Sequence, residues 1–110
     1  MAFDEKLANR IRKRLGKRAG IKEKQMFGGV AFLLKGNICC AVRRDEMLVR
    51  VDPAATDKAL AQPHTRPFDL MRGPMKGWIL VGPKALATSA GLGKWIGVAT
   101  KYAGSLPAKR

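Results

Sequence analysis

The stretch Met26-Phe27-Gly28-Gly29-Val30-Ala31-Phe32-Leu33-Leu34-Lys35-Gly36-Asn37-Ile38-Cys39-Cys40-Ala41-Val42 decides the fold. Two apolar runs of strand length flank Lys35-Gly36-Asn37, residue types that turn a chain tightly, so the pattern predicts a β-hairpin. Gly28 and Gly29 stand at the entrance of the first run. Glycines there predict a bulge or the close approach of another backbone, with Met26 and Phe27 packing nearby. Residues 43–46 are polar enough to turn the chain again, and Met47-Leu48-Val49-Arg50-Val51 reads as a third strand. Three strands in immediate succession form an antiparallel meander.

Upstream, residues 4–17 read as an amphipathic helix. Leu7, Ile11 and Leu15 recur every four residues with Ala8 beside them, while Lys6, Arg10, Lys13 and Lys17 fall on another side. Asp4 is placed to cap this helix, and Gly16 and Gly20 to end it. Downstream of the meander, Asp52-Pro53 is a helix start, with Asp capping and Pro in the first helical position. That helix continues through Ala54, Ala55, Lys58, Ala59 and Leu60. Residues 62–67 read as loop, 68–71 as a short strand, Gly73-Pro74 as a turn and 76–81 as another strand. From Thr88 or Ser89 to Ala103, the spacing of Leu92, Trp95, Ile96, Ala99, Tyr102 and Ala103 predicts a final helix. The expected fold class is therefore α+β: two layers, an antiparallel sheet of about five strands with helices packed on it, in the order α-β-β-β-α-β-β-α. One domain is expected over residues 1–103, followed by a frayed basic tail over 104–110.

A chain of 110 residues, 46% of them apolar, has room for one core and no second domain. No apolar run approaches the roughly 18 residues of a membrane span, and no apolar stretch follows the first cations, so a cytosolic protein without membrane attachment is expected. Cys39 and Cys40 are adjacent, and neighbours on a strand point to opposite faces. That disfavours an ordinary disulfide and leaves only a strained, rare vicinal one, so one buried and one half-buried thiol are expected. The single histidine, His64, lies far from both, so neither a metal site nor a cofactor is expected. The only serines, Ser89 and Ser105, sit at a helix start and in the tail, with no nucleophile elbow and no phosphate-binding loop. The expectation is a protein that is not an enzyme.

The formal net charge is +14, and the excess sits at the two ends of the chain: after Asp69 no acidic residue follows. Such asymmetry points to an acidic or polyanionic partner. Lys6, Arg10, Lys13 and Lys17, lacking acids four residues away, are the candidate contacts to nucleic acid or to an acidic partner, together with Lys109 and Arg110. Trp78 and Trp95 are read as core residues in preference to stacking platforms. A small sheet has edges to cover, which makes a homodimer compatible with the pattern.

Lys24-Gln25-Met26-Phe27-Gly28-Gly29-Val30-Ala31-Phe32 resembles the signature of the TfoX/Sxy N-terminal domain family, in which a Met-Phe-Gly-Gly core opens the first strand. Gly36-Asn37 resembles that family's hairpin turn, and Leu48-Val49-Arg50-Val51-Asp52 its third strand and following helix start. Pro67-Phe68 and Pro74-Met75-Lys76-Gly77-Trp78 resemble its Pro-Phe and Pro-Met-Lys segments. Met26, Phe27, Gly28, Gly29, Pro74, Met75 and Lys76 are expected to define the fold and not to contact a substrate. The resemblance implies a two-layer α+β fold and a regulatory role. The family includes regulators of natural competence thought to act as coactivators beside a DNA-bound transcription factor. Longer members carry a second, helical C-terminal domain, and this chain is expected to be a stand-alone copy of the first. A protein partner is the leading expectation, with direct, weakly selective nucleic-acid binding as the alternative.

Overall fold

A computed structural model describes residues 4–16, 20–26, 28–69 and 74–107 of the chain, with the backbone alone at 69, 74 and 75. Helix α1 spans Glu5–Leu15 and starts where the sequence places it: the Asp4 carboxylate accepts hydrogen bonds from the backbone N–H groups of Lys6 (2.9 Å) and Leu7 (3.1 Å). Six strands follow: β1 Ile21–Met26, β2 Gly29–Leu34, β3 Asn37–Arg43, β4 Glu46–Arg50, β5 Thr65–Asp69 and β6 Pro74–Val81. Between β4 and β5 lie a 3-10 turn at Pro53–Ala55 and helix α2 at Thr56–Leu60; after β6 come α3, Pro83–Leu86, and α4, Ser89–Ser105. Among the described residues the strands form one antiparallel sheet in the order β1-β2-β3-β4-β6-β5, with β1 and β5 at its edges.

The fold class is the expected α+β two-layer arrangement, with six strands where the sequence pattern suggested about five. The additional strand is β1. Its residues Lys22, Glu23, Lys24 and Gln25 are all exposed, so it carries no apolar alternation to mark it. It is held by its register on β2, from Ile21 opposite Leu34 to Met26 opposite Gly29. The Met-Phe-Gly-Gly segment thus turns one strand into the next, where the sequence reading placed a strand entrance. Gly28 has φ +74°, a left-handed conformation that glycine adopts without penalty. Gly29 provides the close approach: a Cβ there would stand 1.8 Å from the Val42 carbonyl oxygen on β3. Phe27 lies outside the described residues.

One face of the sheet carries the helices. Leu7, Ile11 and Leu15 of α1 and Leu92, Trp95, Ile96 and Ala99 of α4 pack with Phe32, Val42, Met47, Val49, Ile79 and Val81 in one buried cluster. Both cysteines belong to it, fully buried, which corrects the expectation of one half-buried thiol. The reason is a bulge. Phe32 pairs with Cys40 and Leu33 with Ile38, so Cys39 is the extra residue in β3 and strict alternation fails there. The hydrogen bond between the two thiols, together with burial, pushes Cys40 well above the usual thiol range. A second, smaller cluster of Ala31, Ala41, Leu48, Phe68 and Leu80 lies across the sheet from the first, with Trp78, Met26 and Leu33 partly buried beside it.

Strand β5 runs over Thr65–Asp69 where 68–71 were expected, and 70 and 71 lie outside the described residues. Pro67 is tolerated in it because β5 is an edge strand. Helix α4 begins at Ser89, within the expected start, with the Thr88 hydroxyl capping it by accepting from the Gly91 N–H (2.9 Å), and runs to Ser105, two residues past the expected end. The Asn37 side chain donates to the Pro107 carbonyl (2.9 Å), which ties residues just past the helix to the β2–β3 turn.

Candidate interaction surfaces

Two cationic regions stand out. The first is the solvent side of α1. Lys6 and Lys13 are exposed there, and Arg10 is half-buried, with its guanidinium 3.5 Å from the Thr88 carbonyl at the start of α4. Next to it, Arg14 donates to the Ser89 carbonyl (2.9 Å) and to the Ser89 hydroxyl. Arg12 forms a two-pronged ion pair with Glu23 on β1, at 2.6 and 2.7 Å. That hydrogen bond holds the Glu23 carboxyl below its usual range, against a smaller opposing effect of burial. Of the residues singled out from sequence, Lys6, Arg10 and Lys13 therefore lie together along α1. Lys17, Lys109 and Arg110 lie outside the described residues.

The second region is a groove of about 460 Å³ between α4 and the segment formed by the 3-10 turn and α2. Buried Val51 and Trp95 form its floor, half-buried Ala55 and Ala59 one wall, and half-buried Val98 and Tyr102 the other. Three exposed lysines stand around it: Lys58, Lys94 and Lys101. Lys94 donates to Gln62 Oε1 across the groove (2.8 Å), which links the two walls. The single carboxylate among the lining residues is Asp52, which accepts from the Ala54 N–H (2.9 Å) as the cap of the 3-10 turn. Arg50 backs the Tyr102 end, with its guanidinium carbon 5.7 Å from the Tyr102 ring centroid and 5.1 Å from that of Trp78.

Local sequence explains why the groove is there. Gly77 has φ +90°, and the Pro53 Cγ and Val51 carbonyl oxygen would each lie 3.4 Å from a Cβ. Its N–H donates to the buried Thr56 hydroxyl oxygen (2.8 Å), and its carbonyl accepts from the Val51 N–H (2.9 Å). The Thr56 hydroxyl donates in turn to the Pro53 carbonyl (2.9 Å). These contacts pin the start of the groove's first wall onto β6. Lys76 beside Gly77 is exposed, Met26 is half-buried against the smaller cluster, and Pro74 pairs with Asp69 across β5 and β6. The side chains of Pro74 and Met75 lie outside the described residues.

The lysine-rimmed groove was not among the sequence-predicted sites. Its signal was present in α4, where Lys94, Val98, Lys101, Tyr102 and Ser105 recur at helical spacing beside the core stripe, but the facing wall comes from a segment more than thirty residues earlier. The other reactive side chains are dispersed. Ser89 and Ser105 lie at opposite ends of α4, and His64 is exposed in a turn with φ +62°. Among the described residues no group of three His, Cys, Asp or Glu is placed to hold a metal ion, and no helix is long and apolar enough to cross a membrane.

The sequence model of one protein family, described as the TfoX N-terminal domain, matches residues 13–103. No curated protein and no solved structure matches the chain.

Proposed function

Because the chain belongs to the TfoX N-terminal domain family, we propose that it is a non-enzymatic regulatory domain that works by binding a protein partner, in the manner of a coactivator within a transcription complex. One observation carries this reading: a concave surface with an apolar floor and half-exposed Ala55, Ala59, Val98 and Tyr102 walls is ringed by lysines. Apolar surface left partly open in a groove is what a partner's side chains fill, and surrounding charge selects which partner approaches. A photo-crosslinking residue placed at Val98 tests the reading in the cells that make the protein. A discrete protein adduct from position 98, absent from position 22 on β1, is the expected result. No adduct, or one that nuclease removes, contradicts it.

A second reading rests on Lys6 and Lys13, exposed along α1 with Arg10 between them. It makes the chain a weakly selective nucleic-acid binder. Binding of labelled DNA and RNA across a salt series tests it, because neutralised phosphates release counterions and affinity then falls steeply with salt. Affinity that survives physiological salt and is lost on charge reversal of Lys6, Arg10 and Lys13 supports the second reading. Affinity indifferent to that reversal removes it.

A further inference from the structure

We infer that the groove between α2 and α4 receives an acidic amphipathic helix of the partner, apolar face down on Val98, Ala59 and Tyr102 and carboxylates toward Lys58, Lys94 and Lys101. This rests on the protein-partner reading and names the occupant. The choice follows from what the groove offers and what it lacks.

Its walls are helical along most of their length, so their backbone N–H and C=O groups are largely engaged within the helices. An extended peptide laid there would find few backbone partners and would bury unpaired polar groups. A helix satisfies its own backbone and presents only side chains, which suits a trough between two helices. The lining of α4 runs from Lys94 to Ser105, about 16 Å at the helical rise of 1.5 Å per residue, so it matches three turns of an incoming helix.

The chemistry of the surface selects the rest. All three lysines are exposed, and Lys94, whose Nζ lies 5.2 Å from the Trp95 ring centroid, already donates to Gln62, so none of them is set at the bottom to anchor a small anion. The rim instead suits carboxylates flanking an apolar stripe. Asp52 faces the groove but is engaged as a cap, and Asp57 on α2 is not among the lining residues. Nucleic acid fits less well, because stacking needs open aromatic faces. Trp95 is only 3% exposed, and Arg50 lies over the Tyr102 ring.

The test uses the full chain and a synthetic peptide of about 14 residues, with leucines at helical spacing on one face and glutamates on the other. A second peptide of the same composition, scrambled to destroy the apolar face, is the control. At physiological salt the amphipathic peptide is expected to bind about tenfold or more tightly than the scrambled one, a difference carried by the apolar contact. Amide shifts should change in α2 and α4 and not in α1. The surface variant Lys94→Glu/Lys101→Glu should weaken the amphipathic peptide about tenfold through lost charge complementarity. Val98→Glu should do the same through the apolar wall, with a thermal melt reporting that the fold is kept.

Equal affinity for the two peptides would overturn the inference, leaving attraction by charge alone. So would shifts confined to α1, displacement of the peptide by a single-stranded oligonucleotide at equal charge, or self-association that blocks the groove. If the peptide fails while position 98 still captures a protein in cells, the partner reading stands and the helical occupant falls. If both fail, both fall.

Discussion

Two of the cationic regions among the described residues, the solvent side of α1 and the rim of the groove, differ in shape and in the apolar surface beside them. On α1, Lys6 and Lys13 stand on a convex surface, while Arg10 and Arg14 turn to carbonyls at the start of α4 and Arg12 is paired with Glu23. Around the groove, Lys58, Lys94 and Lys101 surround a concave apolar floor. Exposed charge on a convex helix gives long-range attraction that salt screens within about 8–10 Å. Charge around an apolar hollow adds short-range contact that salt does not remove. The +14 charge is shared by both regions and does not by itself tell them apart; concave shape and half-open apolar walls do.

The comparison breaks most completely when the sheet beneath both regions is disturbed. Gly29→Ala forces a methyl into the Val42 carbonyl, and the expected cost is about 3 kcal/mol or more. Chemical denaturation should show it, with both regions lost together. Gly77→Ala should act on the groove side alone. It places a side chain at φ +90° beside Pro53 and Val51, at a cost of about 2 kcal/mol. Amide shifts in α2 should move while those of α1 stay.

Arg50→Ala sharpens the contrast further. Removing the guanidinium between Trp78 and Tyr102 should cost about 1 kcal/mol and loosen the Tyr102 end of the groove, read as a lower melting temperature and altered tryptophan fluorescence.

The smallest effect belongs to α1. Arg12→Ala removes an exposed ion pair and should cost about 0.5 kcal/mol at neutral pH. The sign of its pH dependence follows from Glu23, whose carboxyl is held low in the folded state by the Arg12 hydrogen bond. The contribution is present above the unfolded carboxyl value of about 4.3 and disappears as pH falls through the lower folded value. The difference between variant and parent stabilities should shrink over that acidic interval.

How much of this was legible in the sequence depends on whether a feature is local. Asp4 and the Asp52-Pro53 start are capping signals readable within a few residues; both caps form, the second opening a 3-10 turn ahead of α2 in place of one continuous helix. The β2–β3 hairpin was legible because both strands are buried and apolar. Strand β1 was not, because an edge strand with Lys22, Glu23, Lys24 and Gln25 exposed has no apolar period to read. The bulge at Cys39 was hidden because a two-residue alternation cannot reveal its own interruption. The groove was hidden for a different reason. Its walls meet only because Gly77 and Thr56 pin the crossover to β6, a long-range contact with no local trace. Cations could be counted from the sequence, but the apolar hollow some of them surround could not.

The most direct test is the yield of the position-98 crosslink in two charge-reversed backgrounds, Lys94→Glu/Lys101→Glu around the groove and Lys6→Glu/Lys13→Glu on α1. Docking in the groove requires that the groove pair lower the protein adduct about tenfold while the α1 pair leaves it near the parent level. Loss of the adduct in the α1 background, with the groove background unaffected, would contradict it and move the binding surface to the first helix.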